Sequence, residues 1–98
     1  MRKIQLDKEY KVKINNNVLE KFEDESGVNA FQFDQRNFKQ LKVMVGLAIE
    51  EAEGKVDKKV VHDYLNLGVA VPLIEEYMIA VLGPDAAKEL DPEDSEKK

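Results

Sequence analysis

The chain has 98 residues, of which 43% are hydrophobic and 36% are charged, and its formal net charge at pH 7 is −5. The length predicts one domain with one modest core; the lack of cysteine excludes a disulfide framework and thiol chemistry. The negative charge argues against binding nucleic acid. No signal peptide or apolar stretch of membrane-spanning length is recognisable, so we expect a soluble intracellular protein without a membrane partner.

An alternating ribbon predicts a β-hairpin over residues 2–14. Its apolar positions alternate with polar ones, so each strand has one apolar face. These positions are Ile4, Leu6, Tyr10, Val12 and Ile14. A two-residue turn would set apolar side chains against charged ones. We prefer a three-residue turn at 7–9, which sets Leu6 opposite Tyr10 and requires one turn residue in the left-handed region.

Four helices are predicted after the hairpin. The first is expected at about 17–26, between asparagines that can act as N-caps and a glycine that can end a helix. The second, at about 35–53, is the longest and follows Asp34 as its N-cap, and its wide apolar stripe makes it the central helix. The third and fourth helices are expected at about 58–67 and 71–82.

These elements predict an α+β fold that is mostly α, with the N-terminal hairpin packed on a bundle of about four helices. Residues 1–83 are expected to form a single globular domain. Residues 84–98 are expected to be a charged, flexible, acidic tail. Phe31 and Phe33, in the link between the first two helices, are expected to fill the core.

The residue patterns of common catalytic sites are missing. The one histidine, His62, lies beside Asp63 but has no suitably placed serine, so we expect it at the surface. An acidic cluster at 50–57 lacks the ligand spacing and the glycine of a calcium loop, and there is no glycine-rich phosphate loop. We therefore predict no enzymatic activity, no metal and no cofactor.

One pattern favours DNA binding. Residues 58–68, followed by the helix at 71–82, have the outline of a helix-turn-helix motif. The second of these helices contains no Arg, Lys, Asn or Gln that could contact base edges, and its two acids would repel phosphate. A helical hairpin packed on the central helix is therefore favoured, and a small DNA-binding regulator stays as the alternative function.

All but the charged C-terminal part resembles the tail assembly chaperones of long-tailed, siphovirus-type bacteriophages and prophages. The likeness rests on the hairpin at 4–13, the acidic helical segment at 17–27 and the apolar central helix. It continues in the short helix from Asp57 and the final helix that ends near Gly83. Family members often have a glycine in the hairpin turn, where this chain has Lys8.

The resemblance implies a non-enzymatic protein of the host bacterial cytoplasm that is absent from the mature virion. It implies binding to the tape measure protein and promotion of tail tube assembly. The expected partners are the tape measure protein, the tail tube protein and further copies of this chain. Many members have a short form and a frameshifted long form, and this chain would be the short form. Another phage or bacterial protein-interaction module is a further alternative.

Residues 69–82 contain more apolar positions than one helix face can bury, which indicates a surface for another copy or for a client. The wide face of the central helix is expected to contribute to it. The candidate protein-binding residues are Val43, Met44, Leu47, Val69, Val71, Leu73, Ile74, Tyr77, Met78 and Val81. For each of them, simple core packing is the competing explanation.

Overall fold

The computed structural model describes residues 2–84. They form a two-stranded antiparallel hairpin followed by four α-helices, which confirms the expected mostly helical α+β class. The predicted flexible tail lies, after Pro84, outside the described residues. The elements are β1 (Lys3–Gln5), β2 (Glu9–Lys11), α1 (Asn16–Ser26), a 3-10 turn (Ala30–Gln32), α2 (Phe38–Glu53), α3 (Lys58–Tyr64) and α4 (Val71–Leu82). Within residues 2–84, no helix has the length and apolarity needed to cross a membrane.

The register of the hairpin differs from the predicted one by two residues. Ile4 lies opposite Tyr10, where Leu6 was expected, and the turn comprises residues 6–8 instead of 7–9. No described residue other than glycine has a positive φ, so the expected left-handed turn residue is absent. The rule that apolar side chains lie opposite apolar ones could not distinguish the two registers. A shift of two residues leaves the same side chains on the buried face.

α1 begins one residue before its predicted start. Asn15 is the N-cap, and its side-chain oxygen accepts a hydrogen bond from the Val18 amide over 3.0 Å. The helix ends at Gly27, whose φ of 71° lies in the left-handed region that glycine adopts without steric penalty.

α2 begins at Phe38, later than the predicted start at residue 35. Asn37 is the N-cap instead of Asp34, and its side chain accepts a hydrogen bond from an amide of the first turn. The Asp34 carboxylate instead accepts a hydrogen bond from the Arg36 amide over 2.9 Å, which stabilises a turn ahead of the helix. The prediction was wrong here because this loop holds two residues that can cap a helix.

α3 ends at Tyr64, so the predicted helix at 58–67 is shorter than expected. Leu65 has extended backbone angles, and Asn66 then organises a turn. Its side-chain oxygen accepts a hydrogen bond from the Val69 amide over 2.9 Å, and its carbonyl accepts one from the Ala70 amide over 3.2 Å. This turn leads directly into α4.

One hydrophobic core unites the hairpin and the helices, and α2 lies at its centre, in contact with α1, α3 and β2. A run of buried residues along α2, from Met44 to Ile49, supplies much of this core. The largest fully buried side chains are Ile4, Val12, Val18, Phe22, Met44, Val45, Ile49 and Leu73.

Three aromatic rings join α1, the following link and α4. The Phe22 and Phe33 centroids are 5.4 Å apart, and those of Phe33 and Tyr77 are 4.9 Å apart, both in edge-to-face geometry. The Tyr77 hydroxyl donates a hydrogen bond of 2.6 Å to the Ala30 carbonyl. Phe33 is half-buried and packs against the core, whereas the prediction for Phe31 was wrong, because its side chain is 68% exposed.

Candidate protein-binding surfaces

The structure divides the predicted binding residues into two groups. Met44, Leu47, Leu73 and Tyr77 are buried, with exposures of 0%, 7%, 0% and 7%. Core packing accounts for the apolar character of these residues. The six others are half-buried or exposed, and they are Val43, Val69, Val71, Ile74, Met78 and Val81.

An apolar stripe runs along the solvent side of α4. We define the α4 stripe as Val71, Ile74, Met78 and Leu82, which recur three or four residues apart and therefore share one side of the helix. Val71 is 48% exposed and Leu82 is 62% exposed, and the two residues between them are half-buried. The prediction omitted Leu82, although its spacing from Met78 was the available signal.

Two ion pairs connect α4 with Arg2, the residue that precedes β1. Arg2 Nε lies 3.3 Å from Glu75 Oε1, and Arg2 Nη1 lies 3.4 Å from Glu76 Oε1. Both acids lie in the second turn of α4, between Ile74 and Met78 of the stripe. These ion pairs, together with the packing of β1 on α4, join the N-terminal part of the chain to this helix.

A groove of about 220 Å³ lies between α2, α3 and the end of α1. Its floor is apolar and its rim is charged. We call it the α2–α3 groove, and its floor is formed by Val43, Gly46, Leu47, Val56 and Val61. Two of the predicted residues, Val43 and Leu47, therefore meet in it, whereas Met44 faces the core.

Gly46 makes the groove deeper than any other residue type would. It lies in the middle of α2, and a Cβ at this position would have no neighbouring atom from another side chain or element within 4 Å. A glycine inside a helix costs about 1 kcal/mol relative to alanine. The sequence prediction missed this residue, although an isolated glycine inside a helical pattern was the signal for it.

Polar contacts cross the rim of the α2–α3 groove. Lys58 Nζ lies 3.9 Å from Glu25 Oε1, which connects α3 with α1. Lys42 Nζ lies 3.2 Å from His62 Nδ1, and it also lies over the ring of Phe38 at 5.3 Å. His62 is exposed at this rim.

The α4 stripe and the floor of the α2–α3 groove are apolar. Within residues 2–84, no group of three or more His, Asp or Glu side chains could hold a metal ion. The apolar residues of the stripe and the groove instead offer surface that a partner can remove from water. Comparison of the chain with protein-family models, with curated proteins and with solved structures finds no match.

Proposed function

We propose that this chain is a non-enzymatic tail assembly chaperone that binds an apolar helical segment of the tape measure protein and promotes tail tube assembly. The observation that carries the proposal is the α4 stripe, an exposed apolar surface on a small protein with a net charge of −5. Apolar surface gives affinity for an apolar client, and net charge keeps the complex soluble.

The dimensions of the α4 stripe fit a helical client. From Val71 to Leu82 the stripe is about 16 Å long at the usual rise per residue, which is about three helical turns. A client helix with apolar residues at the same spacing can pack along it, as helices do when side chains interlock. A long client would need many copies, each covering a short segment.

The charges of α4 favour this client over DNA. The charged residues of this helix are Glu75 and Glu76, and both pair with Arg2, which precedes β1. A DNA-reading helix needs cations for phosphate and amide or guanidinium groups for base edges. The succession of α3, a turn and α4 is the feature that favours the regulator alternative, and the lack of cations on α4 weighs against it.

A charge-neutral double substitution tests the α4 stripe. Val71→Asp with Leu82→Lys puts an acid at the start and a base at the end of α4, so both new charges favour the helix dipole and the net charge stays unchanged. We expect recovery of co-expressed tape measure protein in the soluble, co-purifying fraction to fall by at least about tenfold, as loss of two apolar anchors implies.

The matched control is Tyr64→Lys with Leu67→Asp. These side chains are 52% and 47% exposed and lie outside α4, and this pair also leaves the net charge unchanged. The control protein should recover the tape measure protein at the wild-type level, and circular dichroism should show equal helix content for both variants. Undiminished recovery by the α4 variant would contradict the proposal.

A further inference from the structure

Gly46 leaves space in the floor of the α2–α3 groove that the fold itself does not fill. The residue is buried between the walls of the groove, yet a Cβ at this position would meet no described atom of another side chain or element within 4 Å. Its φ is not positive, so the backbone does not require glycine here. Neither close packing nor backbone conformation accounts for a residue that weakens a helix interior. What this glycine does provide is room for an apolar group.

The space has the size of a small apolar body. The groove has a volume of about 220 Å³, and an apolar protein cavity of about 150 Å³ is large enough to bind benzene. The side chains that surround Gly46 are those of Val43, Leu47, Val56 and Val61. A phenyl ring placed between them would be removed from water, and room would remain for a short carbon chain.

One end of the groove has a cation that is held in place but not neutralised. Lys42 is half-buried, and its Nζ lies 3.2 Å from His62 Nδ1 and 5.3 Å from the centre of the Phe38 ring. An ammonium group has three donors, and the contact with His62 uses one of them. Among residues 2–84, no carboxylate forms an ion pair with Lys42. Its charge and two donors are thus available to an anionic group of a ligand.

The other charges at the rim restrict where an anion can lie. The Glu25 carboxylate lies 3.9 Å from Lys58 Nζ, so these two charges compensate each other. Glu50 lies about 12 Å from Lys42 along α2, and it has no ion-pair partner in the described part of the chain. An anion is therefore attracted to the Lys42 end of the groove and repelled from the Glu50 end.

We propose that the α2–α3 groove binds a small monocarboxylate with an apolar body about the size of a phenyl ring. Its carboxylate accepts hydrogen bonds from the Lys42 ammonium, and its ring lies over Gly46. One helical turn, about 6 Å along the axis, separates these two residues, and a short carbon chain spans that distance. Pockets for drug-sized ligands usually have about 300–1,000 Å³, so this ligand is smaller. No residue of the α4 stripe takes part, and the inference does not depend on the proposed function.

Three ligands test the site on the wild-type protein. We would titrate 3-phenylpropionate into the isotope-labelled full chain and follow the amide signals by nuclear magnetic resonance. Saturable shifts should occur at the groove residues of α2 and α3, with a dissociation constant on the order of 1 mM, as expected for so small a ligand. The uncharged 3-phenylpropanamide should bind at least about fivefold more weakly, because it lacks the ionic contact. Propionate, which lacks the ring, should bind at least about tenfold more weakly.

Two variants test the two contacts separately. Gly46→Leu fills the space and should abolish binding of 3-phenylpropionate. Lys42→Met removes the cation and should weaken binding at least about fivefold. The matched control is Lys39→Met, which makes the same change of charge at an exposed position of α2 outside the groove and should keep wild-type affinity. The Val71→Asp, Leu82→Lys protein should also keep it, which separates this site from the α4 stripe.

Several outcomes would overturn the inference. Absence of saturable shifts in the wild-type protein up to about 20 mM ligand would do so, as would shifts confined to α4. Equal affinity for the acid and the amide would show that Lys42 does not bind the carboxylate. Wild-type affinity of a Gly46→Leu protein with the wild-type circular dichroism spectrum would place the ligand elsewhere. If Gly46→Leu does not fold, the comparison of the three ligands on the wild-type protein decides.

Discussion

At the scale of single residues, Tyr77 shows how one side chain can look like a binding residue and serve the core. It is apolar over most of its surface, it lies on a helix with an excess of apolar positions, and the sequence made it a candidate contact for a partner, with core packing as the competing explanation. The structure places its ring against Phe33 and its hydroxyl on the Ala30 carbonyl. A charged substitution here would disrupt the core and could not report on binding alone.

Removal of the Tyr77 hydroxyl should destabilise the fold. In Tyr77→Phe the ring contact with Phe33 remains, but the Ala30 carbonyl loses the hydrogen bond that it accepts in a buried environment. We expect the free energy of unfolding to fall by about 1–3 kcal/mol in urea denaturation, as for an unsatisfied buried acceptor. Tyr64→Phe, at a side chain 52% exposed, should change it by less than about 0.5 kcal/mol. Equal effects would refute this role.

Phe31 and Phe33 mark a limit of sequence reasoning at this scale. Both are aromatic residues in one short link, and composition alone assigns both to the core. The 3-10 turn makes the difference in burial between them, because its hydrogen bonds to Asn29 and Glu23 leave the Phe31 side chain in solvent. A contact between residues that lie several positions apart, on different elements, is not visible in the local pattern.

At the scale of elements, the sequence predicted the existence of each helix better than the residues at which it begins and ends. Helical spacing of apolar residues identified all four, because a core must be covered by one side of each helix. The start of α2 was wrong, because Asp34 and Asn37 are equivalent candidates for the N-cap. The hairpin register was wrong, because period-two alternation cannot distinguish a shift of two residues.

The first helix offers a test of capping, since three asparagines precede or begin it. Only Asn15 accepts a hydrogen bond from the Val18 amide, and its amide group also donates to Glu51 over 3.0 Å. We expect Asn15→Ala to lower the free energy of unfolding by about 1–2 kcal/mol. Asn16→Ala, at an exposed position in the first turn, is the matched control and should change it by less than about 0.5 kcal/mol. Indistinguishable chemical denaturation curves for the two variants would contradict the assignment.

At the scale of the whole molecule, the acidic end of α2 connects elements that are distant in the chain. The Lys11 amide of β2 donates to Glu53 Oε2 over 2.7 Å. Asn15 and Asn17 donate to opposite oxygens of Glu51 over 3.0 and 2.9 Å. The sequence placed these glutamates in a solvated acidic cluster, and no periodic pattern could show that asparagines from another element would share one carboxylate.

The shared carboxylate predicts how the stability of the molecule changes in acid. Hydrogen bonds from Asn15 and then Asn17 lower the pKa of Glu51 below its usual value of 4.5. Since the folded state favours the ionised carboxylate, this contribution to the free energy of unfolding is present above the ordinary pKa and is lost as pH falls through the lowered one. Glu51→Gln should therefore be less stable than the wild type near neutral pH, and the difference should shrink as pH falls through that range.

Urea denaturation as a function of pH measures this difference directly. Glu20→Gln, on the exposed side of α1, removes an equal charge without touching the two asparagines. Near neutral pH, Glu51→Gln should therefore be less stable than Glu20→Gln. A Glu51→Gln protein with the wild-type pH dependence would show that the asparagine contacts do not favour the ionised carboxylate. Packing in the core and the hydrogen bond from the Lys11 amide of β2 to Glu53 would then be the contacts that join the end of α2 to the hairpin.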